Sequence, residues 1–175
     1  MYAPRRIEER IVREIGLLLG LLALALAQAT LLPTIFGVRP ALVLVAVVCC
    51  TLVSGLSAGA RWAFYGGVAL DLCGAAPLGS HALALLLAAM AVYVSLRRLG
   101  GEHWLLPILA SFGAALLYEA VLALLYTLPI APLDWGNYAV VALLPSALLA
   151  MVPALPVYAL LRQLDRWRRE AAFDL

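Results

Sequence analysis

The chain has 175 residues, 66% of them hydrophobic and only 13% charged, with a formal net charge of +2. Soluble domains run near half apolar and a quarter charged, so this is the composition of a membrane protein. So small a net charge argues against a nucleic-acid partner. Six spans of about 20 residues would occupy roughly 120 positions, which leaves no room for a catalytic domain outside the bilayer.

All the basic residues are arginines. Residues 1–14 form a basic arm with Arg5, Arg6, Arg10 and Arg13, followed by an apolar run from Ile15 to Leu32. The run is longer than a signal-peptide core and has no clear small-x-small cleavage site before Pro33, so a retained first span is expected. Its small residues, Gly16, Gly20, Ala23, Ala27 and Thr30, recur every four or three positions and form one helical seam. Such seams let membrane helices approach closely, and a contact within the same chain is expected here. Gln28 lies near the seam and is placed to hydrogen-bond across it.

A second helix is expected after Arg39-Pro40, running to about Val53, with a tight turn over Ser54–Arg61. From Trp62 to Leu72 the third segment is too short to span unless it reaches back through Ala58, with Arg61 snorkelling, or forward toward Ala76. Ser80–Leu96, Trp104–Leu128 and Tyr138–Leu161 complete the set, and Pro145, Pro153 and Pro156 predict a kinked or partly unwound last segment. The basic tail, 162–175, is placed to continue that helix. With six spans, every arginine except Arg39 falls on one side of the membrane. The positive-inside rule then puts both termini in the cytoplasm. The fold expected is an all-α membrane protein whose domain is 15–161.

Few residues suggest chemistry. Gly55-Leu56-Ser57-Ala58-Gly59 matches a nucleophile-elbow pattern, but between membrane helices it lacks the strand-to-helix context that gives the pattern meaning. Cys49, Cys50 and Cys73 lack zinc-ligand spacing, and His81 and His103 fall on opposite sides of the membrane. The region of His81 instead suggests a capped turn, with the Ser80 hydroxyl accepting from the first backbone N–H groups of the fourth helix. No cofactor or metal is expected. Two acids lie in apolar surroundings: Asp71, between Gly66-Gly67 and Gly79, and Glu119, about fifteen residues into the fifth helix beside Tyr118. Intramembrane carboxylates are functional candidates by default. Asp71 is expected to hydrogen-bond the turn Gly74–Gly79. Glu119 suggests a strut bonded to Gln28, Tyr126 or a partner helix, rather than an ion site, which would call for more such groups.

The stretch from Arg39 to Leu96 resembles the rod shape-determining protein MreD family. A glycine-acid run, FYGGVALDLC, is followed by PLGSHALALLLAAM, and Gly67, Asp71, Leu72, Leu78 and Gly79 match the family's Gly-x-x-x-Asp-Leu and Leu-Gly pattern. The resemblance implies a non-enzymatic component of the cell-elongation complex in the bacterial inner membrane. Its implied partners are the bitopic scaffold MreC, the polymerase RodA with its penicillin-binding transpeptidase, and MreB filaments. It also implies a fold similar to the substrate-binding subunits of energy-coupling-factor vitamin transporters. That similarity makes a vitamin-binding subunit the alternative, with Ala23 and Ala27 as a coupling surface. Few polar groups are expected on the outer side to build such a pocket.

Overall fold

A computed structural model describes residues 4–31, 40–74, 77–99, 105–127 and 135–173. All of the regular structure among them is helical: α1 Pro4–Thr30, α2 Leu42–Ser54, α3 Leu56–Cys73, α4 Ser80–Leu99, α5 Leu106–Thr127, α6 Trp135–Tyr138, a π-helical turn Ala139–Leu143, α7 Leu144–Met151 and α8 Ala154–Phe173. Pro33, Gly37, Arg39, His103, Trp104 and Asp134, which the sequence singles out, lie outside the described residues.

The bundle is built around α2. A helix that is apolar on every side has no face to give to water and ends up surrounded. Val43 through Thr51 are all buried, and α2 packs against α1, α3, α4, α5, α7 and α8. Lipid tails are as apolar as leucine, so helix association here depends on close packing rather than on transfer from water. The surrounding layer is accordingly rich in small side chains, with Ala63, Ala69, Ala84, Ala88, Ala114, Ala115, Ala147 and Ala150 buried. On α3, Gly66 faces Val43, and a methyl group built there would come within 2.8 Å of its Cγ1. Gly67 faces the backbone of Ala82 on α4 so closely that a β-carbon would overlap it.

Of the two ways to lengthen the third helix, the structure takes the backward one, over 18 residues from Leu56 to Cys73, about 27 Å at 1.5 Å per residue. The expected turn over Ser54–Arg61 contracts to Gly55 alone. Its φ of 82° is open to glycine at little cost. Its N–H bonds the Thr51 carbonyl at 3.0 Å, and its carbonyl accepts from Gly59 N–H at 3.0 Å. Ser57 therefore sits in the first turn of α3, and the nucleophile-elbow geometry is absent there.

The prolines of the last segment act differently from one another. Pro145 has no N–H to donate to the preceding turn, and just ahead of it the helix widens, with Leu144 N–H bonding the Ala139 carbonyl. Pro153 marks the break between α7 and α8, which are bent by 44°. Pro156 falls in the first turn of α8, where a missing donor costs little. α8 then continues through the tail to Phe173, as expected.

Among the described residues two helices are long and apolar enough to cross a membrane, Ile11–Thr30 and Leu106–Thr127, and the bent pair Gly136–Met151 and Ala154–Trp167 makes a third if taken as one span. Leu42–Ser54 and Ser80–Ser95 are apolar but shorter. The six-span expectation therefore has two to three segments of full length behind it. At 13 residues α2 measures about 20 Å, well short of a bilayer core.

Candidate functional site

One end of the bundle is stitched together by polar side chains, and Asp71 forms its centre. Helix starts leave N–H groups without intrahelical partners, and in an apolar setting no water satisfies them. The residue before α4 is Gly79, which has no side chain to cap with, and its φ of 95° is on the left-handed side. Asp71, at the end of α3 and only 3% exposed, takes that role from outside the helix. Its Oδ2 accepts from Gly79 N–H at 2.7 Å and its Oδ1 from His81 N–H at 3.1 Å. Ser80 was expected to be the cap. Its hydroxyl instead lies 2.8 Å from the Pro77 carbonyl and 3.3 Å from Asp71 Oδ1, acting as a donor toward both oxygens. A serine at the first helical position is past the point where its oxygen can reach the following N–H groups.

The same device starts α2. Ala41 precedes it with no capping side chain, and Gln28 of α1 supplies the acceptor, its Oε1 taking Val43 N–H at 3.0 Å. Gln28 thus does bond across to another helix, though not from the small-residue seam. In both cases the preceding helix caps the next one.

His81 continues the stitching from α4 to α5, with Nδ1 2.7 Å from the Tyr118 hydroxyl and the two rings stacked. Asp71 meets His81 through its backbone rather than its ring, and among the described residues no group of three metal-ligating side chains assembles. Tyr118 and Glu119 are neighbours in sequence but about 100° apart on the helix, so they serve different partners. Glu119 Oε2 accepts from the Tyr138 hydroxyl at 3.2 Å, with Ser146 beside the same carboxyl. The expected partners Gln28 and Tyr126 are not the ones used: Gln28 is engaged at α2, and the carboxyl faces the last segment.

The π-helical turn explains that arrangement. Tyr138 and Ser146 are eight residues apart, about 80° off one another on a regular helix. The widened turn between them absorbs a residue and swings both toward Glu119. If so, Glu119→Gln and Tyr138→Phe should couple by about 0.5–1.5 kcal/mol in a double-mutant cycle read by unfolding in detergent. Strict additivity would show that the contact contributes nothing.

The small-residue seam of α1 runs against expectation. Gly16, Gly20 and Ala23 are exposed, Ala27 is half-buried, and a β-carbon on either glycine would meet nothing within 4 Å. The face of α1 that packs on the bundle carries Leu21 and Ala25 instead. Leu21 reaches toward Gly66 of α3 and fills the space between the helices, so the seam is left on the outside. Only 11% of the apolar part of α1 is buried. Leu72 and Leu78, also part of the glycine-acid pattern, point outward at 66% and 79% exposure, whereas Gly67, Asp71 and Gly79 each have a structural task.

At the opposite end Arg61 Nη1 and Glu14 Oε1 form a 3.0 Å ion pair joining α3 to α1. Beside it a groove of about 920 Å³ opens between α1 and α8, with Cys50 and Ser54 of α2 along its floor.

No curated protein and no solved structure matches the chain. The family model for rod shape-determining protein MreD matches residues 9–166. That span takes in the stitched end, the groove and all of the helices but the outer ends of α1 and α8, and the family is one of cell-shape proteins rather than a known enzyme family. The chain belongs to the MreD family of rod shape-determining proteins.

Proposed function

We propose that the protein is a six-span scaffold of the bacterial inner membrane that holds a single-span, MreC-like partner on the exposed face of α1. In this reading 1–14 and 162–175 are cytoplasmic helical extensions of the 15–161 membrane domain. RodA, its penicillin-binding transpeptidase and MreB filaments are reached through the assembled complex, which regulates lateral-wall peptidoglycan synthesis. The fold would be similar to energy-coupling-factor substrate-binding subunits.

The observation that carries the reading is the unpartnered seam. α1 is long and apolar enough to cross a membrane, Gly16, Gly20 and Ala23 on it are exposed, and a β-carbon on either glycine would meet nothing within 4 Å. Small residues on such a face suit a second helix, whose packing energy grows as backbones come together. A vitamin-binding role is disfavoured by the other end, where Asp71, Ser80, His81, Tyr118, Glu119 and Tyr138 are hydrogen-bonded to the protein itself.

Ala23→Leu with Ala27→Leu should leave the amount of protein in the membrane unchanged, because neither side chain is part of the buried core. The same pair should reduce co-purification of the MreC-like partner by about tenfold or more, the equivalent of roughly 1.4 kcal/mol. Undiminished co-purification would move the partner to another face.

A further inference from the structure

We infer that the groove between α1 and α8 seats one end of the partner's membrane helix, which is gripped there between two helices rather than laid against one. The inference rests on the proposed reading that a single-span partner packs on α1. It adds α8 as a second wall and a polar floor beneath the end of the partner helix.

α1 and α8 both pack on α2, and among the described residues they do not pack on each other. The gap between them is the groove of about 920 Å³, with Leu17 and Leu24 on the α1 wall and Leu161 and Leu164 on the α8 wall. A cylinder of that volume and about 10 Å across is roughly 12 Å long, or about eight residues of helix. The α1 wall runs from Arg13 to Leu24, a rise of about 17 Å, so two turns of a second helix fit. Size alone names no occupant, but continuity does. Gly16 and Gly20 belong both to this wall and to the small-residue seam, which Ala23 and Ala27 carry on outside the groove. A helix that follows the seam from Ala27 toward Gly16 enters the groove over its last two turns. The glycines there let its backbone approach closely, since a β-carbon on either would meet nothing within 4 Å. Its other side then lies against Leu161 and Leu164, where larger apolar side chains are favoured.

At the arginine-rich end the lining turns polar. Ser54 of α2 and Ser57 of α3 flank Gly55, are exposed, and bring two hydroxyls to the groove. A hydroxyl covered by an apolar helix costs free energy unless that helix offers it a hydrogen bond. Arg61 beside them is already engaged, with Nη1 bonding Glu14 and Nε bonding the Ser57 carbonyl at 3.3 Å. The groove therefore fits a helix with small residues toward α1, larger apolar residues toward α8, and a hydrogen-bonding group level with Ser54 and Ser57.

The test places a photocrosslinking amino acid at Leu164, Ala159 or Ala23 of the full-length protein in intact rod-shaped cells, with adducts identified by mass spectrometry. Leu164 and Ala159 are both exposed and stand about 140° apart around α8, and of the two it is Leu164 that lines the groove. Ala23 and Leu164 should capture the same MreC-like protein, and Ala159 at least tenfold less of it. An adduct at Ala23 without one at Leu164, or equal adducts from Leu164 and Ala159, would overturn the inference and leave the α1 reading standing. Loss of the Ala23 adduct would overturn that reading, and the inference with it. Capture by Leu164 of lipid alone, or of a second copy of the chain, would put another occupant in the groove and also contradict the inference. Ser54→Ala with Ser57→Ala should lower co-purification of the partner about threefold with thermal unfolding unchanged, and undiminished co-purification would overturn the polar contact.

Discussion

Asp71→Ala should be the most damaging single substitution at any of the described helix ends. It removes the acceptor for two backbone donors, Gly79 N–H and His81 N–H, in a place where the carboxylate is 3% exposed. Each buried donor left unsatisfied costs about 1–3 kcal/mol, so a loss of about 2–6 kcal/mol is expected. Asp71→Asn keeps one carbonyl oxygen and should cost about half as much. The measurement is thermal unfolding in detergent alongside the level of protein in the membrane. An alanine variant that melted with the wild type would mean the cap contributes nothing and that water or lipid headgroups replace it freely.

Gly67→Ala should be nearly as severe, for a steric reason. A single β-carbon there overlaps the Cα and N of Ala82, and backbone cannot rotate away as a side chain would. The α3–α4 contact must then separate, and overpacking of this kind costs about 1–3 kcal/mol or more. Gly16→Ala is the matched control: its β-carbon meets nothing within 4 Å, and alanine is the better helix former by about 1 kcal/mol. The pair should therefore give shifts of opposite sign. Two equal and small shifts would show that α3 and α4 are not packed through Gly67.

Much of this arrangement is legible in the residues themselves. Arginine placement and the shortness of the stretch after Trp62 are enough to require a third helix longer than that stretch, and α3 reaches back past Ala58 to Leu56. An isolated acid between glycines points to a capped turn, and Asp71 caps it. What stays hidden has a common physical origin. Periodicity says that Gly16, Gly20, Ala23 and Ala27 share a face, but not which way the face points. The answer depends on whether the Leu21 face fills the gap to α2 and α3 better than the seam does.

Partner choice is hidden for a similar reason. Glu119 with Tyr138, and Glu14 with Arg61, are 19 and 47 residues apart. Their pairing follows from how α5 faces the last segment and how α1 crosses α3. For Glu119 it also depends on a widened turn that only Pro145 hints at. The Ser80 expectation failed on a one-residue distinction: the acceptor has to stand before the first helical residue, and Gly79 occupies that position.

The central claim is that α1 presents its small-residue face to a single-span partner in the membrane. A photocrosslinking amino acid at Ala23, compared with one at Leu109 on α5, tests it directly. Both positions are exposed, and only the first lies on the seam. In intact rod-shaped cells, Ala23 should yield an adduct with an MreC-like protein and Leu109 should not. Equal adducts from both positions, or an adduct from Leu109 alone, would contradict it.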